Sequence, residues 1–126
     1  MSAFRFLSLS ALTLLAGCGT GDPAPLAPVK GQVWYQGRPL TDGMIVLTPD
    51  IQRGGSGPQA WGKIGPDGSF VLVTDSRPGA TPGWHRVTIA TESSSSLPTR
   101  FHDPEHSQQF FEVKAGQPNV CELHLD

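Results

Sequence analysis

Residues 29–40 read Val29-Lys30-Gly31-Gln32-Val33-Trp34-Tyr35-Gln36-Gly37-Arg38-Pro39-Leu40, VKGQVWYQGRPL. The polarity of this stretch repeats every two residues. Val29, Gly31, Val33 and Tyr35 fall on one face, and Lys30, Gln32 and Trp34 on the other. That is the pattern of a half-buried strand, and the Gln36–Pro39 segment, QGRP, ends it in a turn. A helix would bring apolar residues together every three or four positions, and this stretch does not.

The same period runs on down the chain. Met44 to Thr48 is a short apolar, β-branched run, and residues 49–58 form a loop rich in breakers. Gln59 to Ile64 reads as a strand. In Gly65-Pro66-Asp67-Gly68, proline presets one backbone angle and glycine supplies another, so this is a turn. Ser69 to Thr74 (SFVLVT) and Trp84 to Thr91 (WHRVTIAT) are strands on either side of the loop 75–83. A long polar loop, 92–108, precedes strands at Gln109 to Lys114 and Val120 to Leu125. Seven short strands at this spacing, with no helical segment, predict an all-β sandwich or barrel. The inward positions are Val33, Tyr35, Ile45, Leu47, Ile64, Phe70, Leu72, Val87, Ile89, Phe111, Val113, Leu123 and Leu125.

Bulk composition agrees. The 126 residues suit one domain, and 15 glycines with 12 prolines suit strands joined by many turns. A net charge of −2 argues against binding to nucleic acid, which needs a basic face.

The first residues differ in kind. Arg5 is followed by an apolar run from Phe6 to Leu15, too short to cross a bilayer core of about 30 Å. A positive start, a short apolar core and small residues behind it read as a secretory signal, the alternative being a buried helix. Leu15-Ala16-Gly17-Cys18 resembles the lipobox of bacterial lipoproteins. The resemblance implies cleavage before Cys18, acylation of its thiol and new amino terminus by palmitate-type chains, and attachment to a membrane. The expected layout is a signal peptide over 1–17, a lipidated Cys18 with an extended proline-containing tether over 18–28, and a folded domain over 29–126. Gly19, where an aspartate would be associated with inner-membrane retention, favours the outer membrane within the cell envelope.

The domain itself resembles carboxypeptidase regulatory-like, transthyretin-like domains. VKGQVWYQGRPL is similar to their V-x-G-x-V-x-Y-x-G-x-P-L opening. GPDGSFVLVT is similar to D-G-x-F-x-L-x-T, and PGWHRVTI to P-G-x-Y-x-V-x-V. The tail LPTRFHDPEHSQQFFEVKAGQPN resembles the version in small bacterial lipoproteins of the planctomycete type. The resemblance implies a seven-stranded, Greek-key-type, prealbumin-like β-sandwich and no particular activity. The enzymatic branch of that fold, the hydroxyisourate hydrolases, ends in Tyr-Arg-Gly-Ser, whereas this chain ends Leu-His-Leu-Asp. No catalysis and no cofactor are therefore expected.

Few side chains stand out as chemistry. His85 replaces the family's aromatic and alternates in phase with Val87 and Ile89, so it reads as a core histidine with one hydrogen bond. His102, Asp103 and His106, within HDPEH, could bind a metal or could simply decorate a solvated turn. Cys121, in phase with Leu123 and Leu125, reads as a buried thiol. Ser56 lies between glycines but misses the nucleophile-elbow pattern, because Pro58 stands where the last glycine should be. Trp34, Trp61 and Trp84 all fall on the side opposite the core. Together on one sheet they would make a stacking platform for a sugar; separately they would cover edges. The leading expectation is a non-catalytic envelope lipoprotein carrying a structural or interaction module. The alternatives are a carbohydrate- or peptide-binding module using those tryptophans or a free sheet edge, and a metal-binding protein using His102 and His106.

Overall fold

The computed structural model describes residues 25–91 and 97–126. Cys18 and residues 1–17, expected to be a signal peptide, lie outside the described residues. Within them the chain is all-β, and its only helical segments are two single-turn 3₁₀ helices, Ile51–Arg53 and Thr99–His102. Ten short strands follow in order: β1 (Val29–Tyr35), β2 (Arg38–Pro39), β3 (Met44–Pro49), β4 (Ala60–Lys63), β5 (Ser69–Val71), β6 (Val73–Thr74), β7 (Arg77–Pro78), β8 (Gly83–Ala90), β9 (Phe110–Val113) and β10 (Asn119–Leu125). They form two sheets in a sandwich-like arrangement. One runs β7-β6-β4-β3-β8-β9, antiparallel throughout. The other is built around β1.

Each of the seven expected strand segments holds a strand. The additional strands come from three places that the period-two pattern does not mark. The QGRP turn is a tight hairpin, with Gln36 and Gly37 both at positive φ, and it leaves Arg38–Pro39 paired with β1. Asp75 and Ser76, at φ 48° and 66°, make a second two-residue hairpin inside the segment expected to be loop. The run SFVLVT is divided at Leu72: β5 pairs with β1, while β6 pairs with β4 in the opposite sheet. At the corner the Leu72 N–H donates to Val29 O (3.0 Å), and the Leu72 carbonyl accepts from Gly79 N (2.8 Å).

β1 is the strand with partners on both sides. β10 lies parallel to it along its whole length, Val29 opposite Asn119 through Tyr35 opposite Leu125. On the other side β5 pairs with Lys30–Gln32, and β2 pairs with Trp34–Tyr35. Gly31 sits where β10 and β5 close in together. A Cβ there would stand 1.8 Å from Cys121 O and 2.8 Å from the Phe70 ring. Gly62 plays the same part on β4, because a Cβ would come within 2.5 Å of Val71 O where the chain changes sheet.

The core follows the expected faces. Val33, Ile45, Leu47, Ile64, Phe70, Leu72, Val87, Ile89, Val113, Leu123 and Leu125 are buried, and Tyr35 and Phe111 pack against them half-buried. β10 alternates perfectly, with Cys121 inside. The structure adds residues that the pattern does not single out. Phe101, on the 3₁₀ turn of the long polar loop, is buried at 1% exposure, and Leu97 also belongs to the core. Pairing also starts before β1: Ala27 is buried and forms a two-way bridge with Ala80 (2.9 and 3.0 Å).

Gly31→Ala tests the crowding around β1. Overpacking of this kind costs about 1–3 kcal/mol, whereas Lys30→Ala, on the exposed face, should stay within about 0.5 kcal/mol. Urea unfolding of the two variants beside the parent chain measures the difference.

Candidate functional site

The three tryptophans point outward as expected, but they do not meet. Trp34 lies on the outer face of the β1 sheet, where it stacks on His124 with ring centroids 4.4 Å apart and planes 4° from parallel. Trp61 and Trp84 lie on the other sheet. Cross-strand registers place Val73, Trp61, Val46 and Thr88 in one row across β6, β4, β3 and β8. Trp84 is four residues from Thr88 along β8, or about 13 Å at 3.3 Å per residue. It sits at the start of that strand, opposite Glu112. No three-tryptophan platform forms. What remains is Trp61, 44% exposed, flanked in its row by the half-buried Val73 and Val46. Beside it runs a polar pair in which Gln59 Nε2 donates to Thr48 Oγ1 at 3.0 Å.

The HDPEH loop spends its polar groups locally. His102 Nδ1–H donates to the Ile89 carbonyl of β8. Asp103 accepts from Glu105 N at 2.9 Å and from His106 Nδ1–H at 2.5 Å. That contact holds the Asp103 carboxyl below its usual range and raises His106, each through the other's hydrogen bond first. Among the described residues no group of three or more His, Cys, Asp or Glu side chains is arranged to hold a metal ion. The geometry therefore does not assemble the metal site that the spacing allowed.

A second polar cluster carries no motif in the sequence. Asp50, at the end of β3, is 1% exposed. Its carboxylate accepts from Arg53 Nη1 at 2.6 Å, caps the Ile51–Arg53 turn through Gln52 N at 3.2 Å, and faces Arg86 Nε at 3.4 Å. The Arg53 hydrogen bond, with Arg86 behind it, holds this carboxyl below its ordinary value against the cost of burial. Arg86 also donates to Gln52 Oε1 (3.1 Å), and Arg53 lies over the Phe110 ring at 3.8 Å. Asp50 N donates to Trp84 O, and Asp50 O accepts from Gly55 N, so the 50–55 turn closes on Asp50 and is tied through it to the start of β8. The only sequence signal was an aspartate opening a glycine-rich loop, which is a turn signature rather than a site signature.

His85 is buried at 1% exposure, as its alternation requires. Its Nε2–H donates to the Thr81 carbonyl at 2.8 Å, and Nδ1 has no partner among the described residues. Burial lowers its pKa, partly offset by that hydrogen bond. Cys121 is a free, buried thiol, pushed up to about 12 by desolvation, and so is inert at neutral pH.

No protein-family model matches the chain, and no curated protein does. Among solved structures, a DUF3823 family protein from Bacteroides ovatus aligns at 15% identity and a TM-score of 0.48, covering 79% of this chain and 44% of its own. A DUF3823 family protein from Parabacteroides merdae aligns at 16% identity and a TM-score of 0.46, covering 81% and 46%. This chain thus spans less than half the length of either.

The burial of His85 sets a pH dependence. Its folded pKa lies below the unfolded value of about 6.5, so the unfolded chain takes up the proton first and stability falls as pH drops below about 6.5. The slope approaches about 1.4 kcal/mol per pH unit until the folded histidine also titrates. His85→Gln keeps an N–H for Thr81 O and removes the titration. The stability difference between parent and H85Q, measured by urea unfolding from pH 7 to 5, should therefore move steadily against the parent.

Proposed function

We propose that this protein is an envelope lipoprotein. Acylated Cys18 holds the domain at a membrane, and the sandwich, of the seven-stranded prealbumin-like type, serves as a structural or protein-interaction module rather than as a catalyst. The observation that carries the reading is a spacing. The Leu15-Ala16-Gly17-Cys18 motif stands nine residues before Ala27, where backbone pairing begins. Nine residues span at most about 30 Å even when fully extended, so an anchor at Cys18 keeps the domain next to the bilayer surface. A motif of this kind inside a folded domain could not reach a processing enzyme, and here it precedes the described fold.

Several features support a presenting role. Polar groups with unusual surroundings are used to brace loops: Asp50 closes the 50–55 turn, and Asp103 closes its own turn with His106. The sheet face around Trp61 offers an exposed aromatic among half-buried apolar neighbours, the composition favoured at protein contacts.

Cell fractionation tests the anchor. The parent chain should sediment with membranes and carry acyl mass on an N-terminal Cys18, because more than one acyl chain gives stable attachment. Cys18→Ser should carry no acyl mass and should not be cleaved before residue 18. Acyl mass on C18S, or an unmodified Cys18 in the parent, would overturn the reading.

A further inference from the structure

The geometry points to a homodimer of this chain, in which β10 of one copy pairs antiparallel with β10 of a second. This does not depend on acylation at Cys18. Native sheet edges are normally kept short or interrupted, because an open edge is a template for another strand. Most edges here follow that rule. β7 and β2 have two residues and a proline each, β5 has three residues and β9 has four. β10 is the exception: it has seven residues, with no proline, glycine or lysine among them, and it ends its sheet.

The existing ladder shows which groups that edge offers. Asn119 N donates to Pro28 O (2.8 Å), and Leu125 O accepts from Gln36 N (3.0 Å). A parallel strand bonds its neighbour through alternate residues, so 119, 121, 123 and 125 are the residues tied to β1. The N–H and C=O of Val120, Glu122 and His124 point the other way, and among the described residues no strand pairs with them. The side chains of these three residues are exposed on the outer face of the sheet.

Charge complementarity selects a second copy as the occupant and fixes the register. Two antiparallel β10 strands exchange bonds only where outward-pointing residues stand opposite each other. With the two-fold axis at Leu123, Glu122 of each copy faces His124 of the other. The carboxylate accepts and the imidazole N–H donates, and both pairs form at once by symmetry. Within one copy neither side chain has a hydrogen bond or ion pair among the described residues; His124 has only its stack on Trp34. In the same register Asp126 of one copy stands opposite Val120 of the other, whose neighbour across β1 is Lys30. Arg100 holds Asp126 through its backbone O and leaves the carboxylate to this contact. Sliding the strands by two residues opposes Glu122 to itself in one direction and to Asp126 in the other, and like charges directly opposite are destabilising. Sliding further toward the start of β10 sets His124 against Pro118, which has no N–H to give.

The test is disulfide trapping in the full chain. Glu122→Cys and His124→Cys are made in separate chains with different affinity tags, and the two are produced together or singly and treated with a mild thiol oxidant. Opposed hydrogen-bonded residues have Cα atoms about 5.5 Å apart, inside the range a disulfide spans. Two copies of residue 122, or of 124, are also offset by two residues along the strand, so their Cα atoms lie about 9 Å apart and are not bridged. The mixed dimer keeps one native pair, His124 of the first chain with Glu122 of the second. Both substitutions lie on the exposed face, so the fold is not at stake. The parent chain, which has Cys18 and the buried Cys121, is the control for other disulfides.

The chains produced together should give a covalent dimer carrying both tags, in yield severalfold above either chain alone, with the parent giving none above background. Equal yields in the mixed and single preparations, or no dimer in any, would overturn the proposal. A product from Glu122→Cys alone that exceeds the mixed one would overturn the register. Disulfides to other proteins without the mixed dimer would assign the edge to a different partner, and would overturn self-pairing.

Discussion

Everything in this fold is hung on β1. It is the one strand with the last strand of the chain along one side and two early strands along the other, so it joins the ends of the sequence through a parallel ladder seven residues long. Parallel neighbours cannot be joined by a tight turn. Here the connection is the whole intervening domain, which passes through the opposite sheet before β10 returns. The cost is crowding at the middle of the strand, and Gly31 is the residue that admits both neighbours. With any Cβ at that point the carbonyl of Cys121 would have to retreat, and the ladder would open from its centre.

That closure also decides what the molecule presents. Because β1 and β10 start together, the entry of the chain, the 50–58 loop and the 114–118 loop are brought to a single end. Asp50 fixes the geometry of that end: buried, charged and held by two arginines, it ties the loop to β8 rather than leaving it to move. The outer faces of the two sheets then point sideways, one carrying the Trp34–His124 stack and the other the row through Trp61. A sandwich built this way has two ends and two flanks, each with its own composition.

Much of the fold was legible in the residues because burial in a sandwich follows a period of two. Every position placed inward by alternation is buried or packs on the core, His85 and Cys121 included. The change of sheet at Leu72 was not legible, because Phe70, Leu72 and Thr74 stay inward on both sides of the corner and alternation cannot tell one sheet's interior from the other's. The Asp75-Ser76 hairpin was hidden because neither residue is glycine. Phe101 was hidden because a lone aromatic in a polar loop has no periodicity. For the surface the limit is different. Alternation showed that Trp34, Trp61 and Trp84 face outward, but strand order decides whether they share a sheet, and strand order is a long-range property. Asp50 escaped for a related reason: its partner Arg86 is far away in sequence.

Hydrogen exchange is the direct test of the claim that β1 and β10 close the domain. If they do, the hydrogen-bonded amides in 29–35 and 119–125 should exchange together, and only through global unfolding, at the same free energy as the central strands 44–49 and 83–90. Exchange of 119–125 at a markedly lower opening free energy, with the other sheet still protected, would show that the parallel ladder is an appendage and would contradict the account.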